Sequence, residues 1–584
     1  MRRWLELPLA YGPSVSHDSE SVYFLSDESG LPQPFVVPAR GGTPRRLLQG
    51  TERVGSIQAN PAGPGAMLAV DSGGDEHWQL AFLEPGRGSG GAAVRSLTAQ
   101  PKVIHSPGRW SEDGRHYFFS ANARDPRFFD VYELDIRTPT SPRVRLTGDA
   151  LHEVVAVQGD QVLVARANTN LDVDLLLVNG DHVELLNPHA GELTVFGADF
   201  GRDGVYAGAN PDRELAALVR YRPGHPAAEF VREFAGDVEA VRRRPGHDDL
   251  ALVVNRDGWS EVHLFNPSTG EDRVFNSGPR GVVAAVRWYP DGSAFAYDIS
   301  SVDGACVFRR DVTTGKEKRL AGIGATPTAT PAPALRSFLA SDRVRIPYWE
   351  FAPPGPVRGT IVWVHGGPEA QARPAFAPPA QCMVARGWRV IMPNVRGSAG
   401  YGRRFLHLDD VRLRMDSVRD VQELVADLQR QGKAVPGRVG IVGGSYGGFM
   451  VLAALATYPE LWGAGVDLVG ISNLVTFLEN TGVWRRRLRE TEYGSLEHDR
   501  EFLESISPLN HVDRIRAPLL VIHGRNDPRV PVAEAEQIAR TLRAAGRPVD
   551  LLVFDNEGHG IVRRENRLVA WERALNWFED RIPR

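Results

Sequence analysis

The sequence predicts two domains, a β-propeller of about seven blades followed by a doubly wound α/β domain with a mostly parallel sheet. Three observations lead to this prediction. The chain has 584 residues, more than one hydrophobic core usually organises. Its first half repeats short β-rich runs, and its second half alternates apolar strands with amphipathic helices. We place the propeller at residues 1–321, a linker at 322–334 and the α/β domain at 335–584.

One repeated pattern makes up the first half of the chain. A short β-rich run, a polar turn and a second run recur from about residue 13 to about residue 320. Turn pairs with the hairpin signature lie between alternating apolar residues, at Asp113-Gly114, Asp257-Gly258 and Asp291-Gly292. The units recur about every 40–45 residues, which is the period of a four-stranded propeller blade. A β-sandwich, or a pair of them, is the alternative.

The second half begins after GIGATPTATPAPA, a run of small residues and prolines that is typical of an extended linker. Beyond it, apolar runs predict buried parallel strands within residues 360–367, 388–397, 437–445, 517–524 and 549–560. Amphipathic stretches predict helices at 416–432 and 531–546. In such a fold the catalytic residues lie at the carboxyl ends of the strands.

Composition and charge narrow the range of partners. The sequence is 42% hydrophobic and 24% charged, the values of an ordinary globular protein. Its formal net charge of −4 gives no electrostatic reason to bind nucleic acid or an anionic membrane. No segment approaches the roughly 20 consecutive apolar residues of a membrane-spanning helix. We expect neither nucleic acid nor membrane among the partners; a homo-oligomer stays open.

The amino terminus and the cysteines bear on location and cofactors. The first residues carry two arginines, but the apolar stretch after them is short and interrupted by Glu6, so we expect no signal peptide. Cys306 and Cys382 fall in different predicted domains, which fits a reducing, cytoplasmic compartment rather than a disulfide framework. No cluster of His, Cys, Asp and Glu has metal-ligand spacing, and we expect neither a metal nor a cofactor.

Ser445 is the candidate nucleophile. It lies in GGSYGG, after the predicted strand RVGIV and before FMVLAALATY, which has the composition of a helix. Strand, tight turn and helix are the context that a Gly-x-Ser-x-Gly nucleophile elbow requires. Glycines on both sides permit the sharp turn that pushes the hydroxyl outward. The motif alone occurs often by chance, so its meaning depends on partners elsewhere in the chain.

Two such partners follow later strands. A serine hydroxyl needs a general base, and the base needs a group that orients it. Asp527 follows APLLVIHG and His559 follows VDLLVFD. The chain order Ser445, Asp527, His559 is the one expected for an α/β-hydrolase. Taken singly, Asp527 could cap the next helix and His559 could be an ordinary loop residue, but three at successive strand ends favour a triad.

An acyl-transfer site also needs donors for the oxyanion that forms when the serine attacks. The loop His365-Gly366-Gly367-Pro368 follows the strand TIVWV, where an α/β-hydrolase draws one backbone N–H. The amide of Tyr446, directly after the nucleophile, is the second predicted donor. A plain β-turn is the alternative explanation of the loop.

Together, HGGP, NVRGSAGYG, GGSYGG, HGRNDPRVP and DNEGHG after a predicted propeller resemble the prolyl oligopeptidase family of serine peptidases. The resemblance is greatest to its acylaminoacyl peptidase branch. It implies that Ser445 is the nucleophile, His559 the base and Asp527 its orienting group. It also implies that the amides of Gly367 and Tyr446 form the oxyanion hole. In the family the propeller covers the catalytic face, so only short or unfolded peptides reach the serine.

Several residues are weaker candidates for substrate binding. The stretch 471–495 resembles the family's pocket-forming segment, and Phe477 and Trp484 are predicted either to line an apolar pocket or to belong to the helix core. Arg525 and Arg529 flank Asp527 in sequence. Either could bind a substrate carboxylate bidentately, although a run of charges is more often a solvated, salt-bridged face.

The predicted function is hydrolysis of short peptides by an acyl-enzyme route, as an acylaminoacyl-type exopeptidase. Carboxypeptidase-like trimming, dipeptidyl or endo-oligopeptidase cleavage and a carboxylesterase are alternatives, and a non-enzymatic propeller scaffold is the remaining one. Dipeptidyl members of the family bind the substrate amino terminus with paired propeller glutamates. The acidic stretch DEHWQL at 75–80 lacks an adjacent Glu-Glu pair, which argues against that mode.

Overall fold

The computed structural model describes residues 2–85, 93–139, 141–275, 280–323 and 331–583. The chain divides into two compact units. The α/β unit comprises Met1–Leu7, Gly73–Asp75 and Pro327–Arg584, and the β unit comprises Pro8–Ser72 and Glu76–Thr326. The β unit thus differs from the predicted 1–321 at its first seven residues and at Gly73–Asp75. The predicted linker 322–334 falls largely outside the described residues.

The β unit consists of antiparallel sheets whose strands follow one another in the chain. In the described residues its 28 strands form seven groups of four consecutive strands, the form of a propeller blade. The first four groups are β1 (Ala10–Val15), β2 (Ser21–Ser26), β3 (Gln33–Pro38), β4 (Arg45–Arg46); β5 (Arg53–Ala59), β6 (Ala66–Asp71), β7 (Gln79–Glu84), β8 (Ala93–Ser96); β9 (His105–Trp110), β10 (His116–Asp125), β11 (Phe128–Asp135), β12 (Arg143–Leu146); β13 (Leu151–Gln158), β14 (Gln161–Ala167), β15 (Val173–Asn179), β16 (His182–Leu185).

The other three groups have the same form: β17 (Val195–Phe200), β18 (Val205–Ala209), β19 (Ala217–Arg222), β20 (His225–Arg232); β21 (Asp237–Arg243), β22 (Leu250–Arg256), β23 (Trp259–Phe265), β24 (Asp272–Val274); β25 (Val286–Trp288), β26 (Ala294–Ser301), β27 (Gly304–Asp311), β28 (Glu317–Ala321). A single parallel pairing, Phe129 with Leu151, joins the third and fourth groups.

Hydrophobic clusters connect each group to the next. The first and second groups share the cluster of Leu25 and Ile57, and the first and last share that of Phe24 and Val307. The five intervening pairs of neighbours share clusters that contain Met67 and Tyr117, Phe118 and Val162, Leu163 and Tyr221, Tyr206 and Leu252, and Val253 and Phe295. Since the last group packs on the first, the groups form a closed cycle.

A buried carboxylate also joins the two ends of this cycle. Asp298, on β26 of the last group, is 5% exposed and accepts the backbone N–H of Gly12 on β1 at 2.8 Å. Its other oxygen accepts the N–H groups of Ala284 and Ala285 at 3.0 and 2.8 Å. Gly12 and Asp298 lie 286 residues apart in sequence. Asp298 therefore links the first and last sheets without an exchange of strands.

The α/β unit contains an eight-stranded sheet in the order β29-β30-β32-β31-β33-β34-β35-β36. β30 pairs antiparallel with both β29 and β32. The six strands β31 to β36 run parallel to one another. The strands are β29 (Ala334–Leu339), β30 (Arg345–Phe351), β31 (Gly359–Val364), β32 (Trp388–Pro393), β33 (Val439–Gly444), β34 (Ala464–Leu468), β35 (Leu519–Gly524) and β36 (Val549–Phe554).

The helices of the described chain belong to the α/β unit. They are α1 (Arg2–Leu5), α2 (Pro378–Ala385), α3 (Arg403–Leu406), α4 (Arg414–Arg430), α5 (Tyr446–Thr457), α6 (Leu474–Asn480), α7 (Val483–Tyr493), α8 (Arg500–Ile506), α9 (Ala533–Ala544) and α10 (Arg564–Arg581), with 3-10 turns at His407–Asp409, Val411–Leu413 and Pro508–Arg514. Among the described residues, no helix combines the length and the apolar character needed to span a membrane.

The strand order places a switch point beside the predicted nucleophile. β32 pairs with β31 along one edge of that strand, and β33 pairs with β31 along its other edge. The loop after β31 and the turn after β33 therefore open at the same carboxyl edge, where doubly wound folds bind their ligands. α5, which follows β33, is buried over nearly its whole length.

The predicted parallel strands and long helices lie where the apolar runs placed them. Each predicted strand contains one observed strand, and α4 and α9 overlap the predicted helices. The prediction missed three strands, β29, β30 and β34. β34 is only five residues long, AGVDL, and its small residues give little periodic signal.

Asp298→Ala should destabilise the β unit. The change leaves the backbone N–H groups of Gly12, Ala284 and Ala285 without their protein acceptor, and each lost hydrogen bond costs about 1 kcal/mol. We expect a lower unfolding midpoint in calorimetry, by the equivalent of about 3 kcal/mol. The exposed Asp181→Ala is the matched control and should stay within about 0.5 kcal/mol. Equal midpoints for the two variants would contradict the linking role of Asp298.

Candidate active site

Ser445 occupies a strained backbone position between β33 and α5. Its φ is 58° and its ψ is −120°, a combination that side-chain-bearing residues rarely adopt. Its amide donates to the carbonyl of Leu468 at 2.9 Å, and its carbonyl accepts from Gly448 and Phe449 at 2.9 and 3.1 Å. The backbone thus turns sharply from strand to helix at Ser445, as the elbow motif predicts.

Glycines are required here because backbone segments touch. A methyl group placed on Gly443 would lie 2.2 Å from the carbonyl oxygen of Gly447. A methyl group on Gly447 would lie 2.3 Å from the carbonyl oxygen of Val364, the last residue of β31. No real Cβ makes contacts this short, so a side chain at either position would displace the elbow.

The loop after β31 contacts the same turn. A methyl group on Gly366 would lie 3.4 Å from Cβ of Ser445 and 3.0 Å from the carbonyl oxygen of Gly444. His365 is buried, which lowers the pKa of its imidazole, and its Nε2 lies 2.9 Å from Oγ of Ser398. Ser398 belongs to the NVRGSAGYG stretch. The two glycine-containing loops are therefore tied to each other beside Ser445.

Asp527 and His559 are hydrogen-bonded to each other. They follow β35 and β36, which pair in parallel, so both lie at the carboxyl edge of the sheet. Nδ1 of His559 lies 2.7 Å from Oδ2 of Asp527. Oδ1 of Asp527 accepts the backbone N–H groups of Arg529 and Val530 at 2.8 and 3.0 Å. These bonds fix the carboxylate, which in turn orients the imidazole.

Asp527 is buried, yet it is held in the ionised form. Burial raises the pKa of its carboxyl group, but hydrogen bonds and charge from His523 and His559 outweigh burial and hold this pKa well below its usual range. Nε2 of His523, on β35, lies 3.5 Å from Oδ2 of Asp527 and donates a hydrogen bond to the carbonyl of Val530 at 2.8 Å. A negative charge is thus present beside His559 at neutral pH.

Ser445 and His559 do not form a hydrogen bond within 3.5 Å among the described contacts. The structure brings Asp527 and His559 together and places Ser445 at the same edge, after β33, which β34 separates from β35. In sites without substrate such a contact is often long and shortens when the substrate binds. The imidazole of His559 is therefore oriented by Asp527 without a described hydrogen bond to Ser445.

The two predicted oxyanion donors have free N–H groups in the described chain. Neither the amide of Gly367 nor that of Tyr446 donates a backbone or side-chain hydrogen bond there. Tyr446 is the first residue of α5, where the helix leaves its amides unpaired. Gly367 adopts a φ of 134°, which a residue with a side chain would reach only under strain. Both amides are thus available to an anion beside the elbow.

A buried polar network anchors Tyr446. Its hydroxyl lies 3.1 Å from Oδ2 of Asp409, 3.1 Å from Nη1 of Arg414 and 2.8 Å from Oγ of Ser417. Its side chain is fully buried. Because the ring and hydroxyl are fixed, the backbone amide directly after the nucleophile is fixed as well.

The acidic part of this network resembles a metal site only in its spacing. Carboxylate oxygens of Asp409, Asp410 and Glu492 lie within 4.8 Å of one another. The guanidinium of Arg414, itself fully buried, forms ion pairs with Asp409 and Glu492. An internal cation therefore already pairs with two of the three carboxylates, and the set is better explained as a structural ion network than as a metal centre.

The two predicted pocket residues lie in different environments. Phe477 is 2% exposed and packs edge-on against Tyr493, with ring centroids 5.9 Å apart, in the hydrophobic core of the unit. Little of its surface is left for a substrate. Trp484 is half-buried, and its Nε1 lies close to Gly482, whose amide donates to the carbonyl of Pro528 at 3.0 Å. Trp484 thus lies beside the Asp527 loop.

The two arginines flanking Asp527 have partners of their own. Arg525 is half-exposed, and its guanidinium bonds to Asp555 at 2.5 Å and pairs with Glu536 at 3.4 Å. These carboxylates raise the pKa of Arg525. Arg529 contributes its backbone amide to Asp527, and its carbonyl accepts from Oγ1 of Thr481 at 2.7 Å.

Sequence reasoning missed a third arginine nearer the predicted oxyanion hole. Nη1 of Arg489, on α7, donates to the carbonyl of Gly367 at 3.2 Å and lies 3.3 Å from Oε2 of Glu369. It fixes the peptide unit that follows the Gly367 amide. Arg489 lies within an arginine-rich helix, VWRRRLRETEY, and nothing in that sequence distinguishes it from its exposed neighbours.

Comparisons with known proteins agree with this geometry. A model of the prolyl oligopeptidase family matches residues 374–583. Dipeptidyl aminopeptidase BIII of Pseudoxanthomonas mexicana is 36% identical over 593 residues, an alignment that covers 94% of this chain and 84% of that protein. Dipeptidyl peptidase family member 6 of Caenorhabditis elegans is 34% identical over 244 residues, which cover 41% of this chain and only 33% of that protein.

A solved structure extends the similarity to both units. Pyrococcus horikoshii acylaminoacyl peptidase superposes with a TM-score of 0.76 at 17% identity, covering 100% of this chain and 97% of that chain. The shared fold joins a β-propeller to an α/β-hydrolase domain. These matches confirm the family resemblance inferred from the motifs and the two-domain class of fold.

Asp527→Asn should lower kcat by roughly 10⁴-fold, because an amide favours the wrong tautomer of His559. A carboxyl group whose folded pKa is lowered stabilises the fold above its unfolded pKa of about 3.9, and this contribution disappears as the pH falls through the folded value. Asp527 therefore stays ionised from pH 5 upward, and the rise of kcat/KM with pH should follow deprotonation of His559 alone.

The measurement is kcat/KM for a chromogenic peptide between about pH 5 and pH 9. Asp555→Asn is the matched control, since Asp555 is 83% exposed and pairs only with Arg525 among the contacts described for it. The control should keep the wild-type profile. Persistence of the acidic limb in His559→Ala would mean that another group is the base.

Proposed function

Because the chain belongs to the prolyl oligopeptidase family of serine peptidases, we propose that Ser445, His559 and Asp527 form its catalytic triad and hydrolyse short peptides. The observation that carries the proposal is the 2.7 Å bond between His559 and Asp527 at the sheet edge that also holds the strained Ser445. A tight turn with a serine is common, whereas the three groups at one edge are specific to this chemistry.

In the first half of the reaction the hydroxyl of Ser445 attacks the scissile carbonyl. The neutral imidazole of His559 accepts the hydroxyl proton at Nε2, because Asp527 accepts the proton on Nδ1 and so selects the required tautomer. The imidazolium then gives its proton to the leaving amine. The C–N bond breaks, and the acyl group remains on Oγ of Ser445.

The amides of Gly367 and Tyr446 stabilise the oxyanion in this proposal. Their N–H groups have no other acceptor in the described chain, so no hydrogen bond has to be broken when charge develops. Arg489 holds the Gly367 peptide unit, and the buried hydroxyl network holds Tyr446. Water then attacks the acyl-enzyme with His559 again as base, and the acid product leaves.

The β unit is proposed to be a seven-bladed propeller, each group of four strands being one blade. The closed cycle of hydrophobic clusters and the Asp298 bridge support this count. The family resemblance supports short peptides as the substrate class. A cytoplasmic location is part of the same proposal, supported by Cys306 and Cys382, which are free, buried and in separate units.

The substrate terminus is proposed to be the amino end. Acylaminoacyl release is the mode that the motifs predict, and the Pyrococcus enzyme supports only the fold at its 17% identity. Release of dipeptides is the second candidate. It is favoured because the relative aligned along 94% of this chain is a dipeptidyl aminopeptidase.

A feature of the α/β unit supports the second candidate as well. Gly74 lies against Gly558, since a methyl group on Gly74 would be 2.4 Å from the amide nitrogen of Gly558. Asp75 directly follows Gly74, and His559 directly follows Gly558. Since the backbone beside Asp75 touches the backbone beside His559, we infer that the Asp75 carboxylate binds the ammonium group of an unblocked peptide, which an acylated end lacks.

The remaining alternatives have less support. Carboxypeptidase-like trimming needs a cation for the substrate carboxylate, and Arg525 already pairs with Asp555 and Glu536. Endo-oligopeptidase cleavage is tested by the products from longer peptides, and an esterase by comparing an ester with an anilide. A non-enzymatic scaffold would require that Ser445 fail to react with a fluorophosphonate.

Ser445→Ala should reduce turnover to the level that binding and the oxyanion hole provide alone, roughly 10³–10⁴-fold over water. Peptide binding and the unfolding midpoint should change little, because the hydroxyl contributes to bond formation rather than to the core. Hydrolysis of a chromogenic peptide and labelling by a fluorophosphonate measure the effect. Ser505→Ala, an exposed serine on α8, should retain both. Activity of Ser445→Ala within tenfold of wild type would overturn the nucleophile assignment.

Two peptide anilides of equal sequence, one with a free and one with an acetylated amino terminus, should separate the two modes. If dipeptides are released, the free amine should be preferred, and Asp75→Asn should lower kcat/KM by about 10–150-fold on that substrate alone. Asp149→Asn, 77% exposed on the β unit, is the control. Preference for the acetylated peptide, with no effect of Asp75→Asn, would favour acylaminoacyl release instead.

A further inference from the structure

The β unit contains a cavity of about 330 Å³ at the centre of its cycle of sheets. Its lining includes residues from the first strand of every group, β1, β5, β9, β13, β17, β21 and β25. A single cavity touched by all the first strands lies on the axis about which the groups are arranged. This volume is at the lower end of the range for small-molecule sites.

Three arginines extend into this cavity from equivalent places. Arg109, Arg242 and Arg287 lie near the ends of β9, β21 and β25 and are half-buried. In each, Nη1 donates to the carbonyl of the preceding residue, at 2.9, 2.7 and 3.0 Å. The same local geometry recurs in three sheets, so the three guanidinium groups are held in the same way around one axis.

None of the three forms an ion pair within 4.0 Å in the part of the chain described. Many other arginines of the β unit do have carboxylate partners, for example Arg202 with Asp248 at 3.1 Å. The three central guanidinium groups each retain donors that no protein acceptor occupies, since an arginine carries five N–H groups. The cavity is therefore lined by positive charge whose hydrogen-bonding capacity is largely unused.

Three carboxylates act on Arg242 or Arg287 through their charge: Asp199, Asp298 and the exposed Glu153. The first two also accept backbone N–H groups. Asp199 lines the cavity, but its two oxygens accept the backbone N–H groups of Phe200 and Arg243 at 2.9 and 3.0 Å. Asp298 accepts three backbone N–H groups in the bridge between the first and last sheets. Glu112 also lines the cavity and is exposed. Three cations thus face at most two lining carboxylates.

The pKa values of the arginines reflect this excess of positive charge. Burial, together with the positive charges of the neighbouring arginines, lowers the pKa of Arg242 to about 10 and that of Arg287 to about 9. Burial also raises the pKa of Asp199, which weakens its role as a counter-charge. An anion between the guanidinium groups would relieve both the repulsion and the loss of hydration.

A purely structural role explains the three side chains less well. Arginines that brace neighbouring sheets would donate to acceptors on another strand, whereas the described bonds of these three go to their own strands. The sheets are joined at this level by other groups. Nε1 of Trp288 donates to the carbonyl of Arg242 at 3.1 Å, and the amide of Arg243 donates to Asp199.

We propose that Arg109, Arg242 and Arg287 form a binding site for a small multivalent oxyanion in the central cavity of the β unit. Guanidinium forks bind carboxylate and phosphate oxygens in the same bidentate geometry, so a tricarboxylate and a polyphosphate share the required chemistry. The site is distinct from the triad, and its residues all belong to the β unit.

The test measures binding of tripolyphosphate and of citrate to the full-length protein by titration calorimetry. NaCl keeps the ionic strength equal in all samples, so that general screening is the same. The wild type should bind at least one of the two anions at one site, and the anion that binds tightest identifies the preferred oxygen chemistry. Its unfolding midpoint should rise with the concentration of that anion.

Arg242→Gln and Arg287→Gln should each weaken binding by about 10–150-fold, the loss of one charge-assisted hydrogen bond or pair. Arg143→Gln, an exposed arginine on β12, is the matched control and should bind like the wild type. Circular dichroism and peptide hydrolysis check that each variant is folded. If a glutamine variant does not fold, Arg287→Lys, which keeps the charge but loses the fork, should still bind more weakly than wild type.

Two outcomes would overturn the proposal. One is that wild-type protein binds neither anion at matched ionic strength. The other is that a folded Arg242→Gln or Arg287→Gln variant binds as tightly as Arg143→Gln, which would assign the binding to another basic surface.

Discussion

The close approach of three backbone segments at the elbow is the constraint on which the α/β unit depends. Strand β31, the turn at Ser445 and the start of α5 meet here. A methyl group added to Gly443 or Gly447 would lie only 2.2–2.3 Å from a carbonyl oxygen of a neighbouring segment. Only glycine at 443 and 447 permits this contact. The resulting turn directs Ser445 away from the sheet and leaves the first amide of α5 unpaired. The positions of the proposed nucleophile and of one proposed oxyanion donor thus follow from the same close packing.

A network of buried charged side chains holds Tyr446, the residue directly after Ser445. Arg414, Asp409 and Glu492 are almost completely buried, and desolvating them costs several kcal/mol per ion unless each is paired. They are paired with one another, and the Tyr446 hydroxyl completes the network. Loss of Arg414 would leave the buried Asp409 and Glu492 without their cation. Rigid placement of the Tyr446 amide, rather than net stability, is what this network supplies.

Within the residues described, the β unit has its paired charges at the surface and its unpaired arginines at the centre. Its outer strands carry paired arginines and carboxylates at the surface, where each pair contributes little. Its centre holds three arginines without partners within ion-pair distance in the described chain. Paired arginines and arginines without an ion pair thus occur in the same unit. The composition of the chain therefore does not explain why the central arginines lack carboxylate partners in the described residues. This lack follows from which strand of each sheet faces the axis.

Much of the fold and of the candidate site could be predicted from local patterns. Apolar runs marked the central parallel strands, because strands buried on both faces need continuous hydrophobic residues. Ser445, Asp527 and His559 were found because the ends of such strands meet at one edge, and the chain order agreed with that geometry. Short strands such as β34 were missed because five small residues carry no periodic signal. Arg489 was missed because its sequence neighbours are also arginines.

By itself, then, the sequence determined the class of fold, the position of the tight turn at Ser445 and which proposed triad residues follow the strands at the carboxyl edge of the sheet. These depend on periodicity and on glycine, which act over a few neighbouring residues. Only the tertiary structure decided that Phe477 lies in the core, that Arg525 is paired with carboxylates and that Arg109, Arg242 and Arg287 share one cavity. Each of these facts depends on contacts between segments far apart in the chain, and no local pattern encodes such distances.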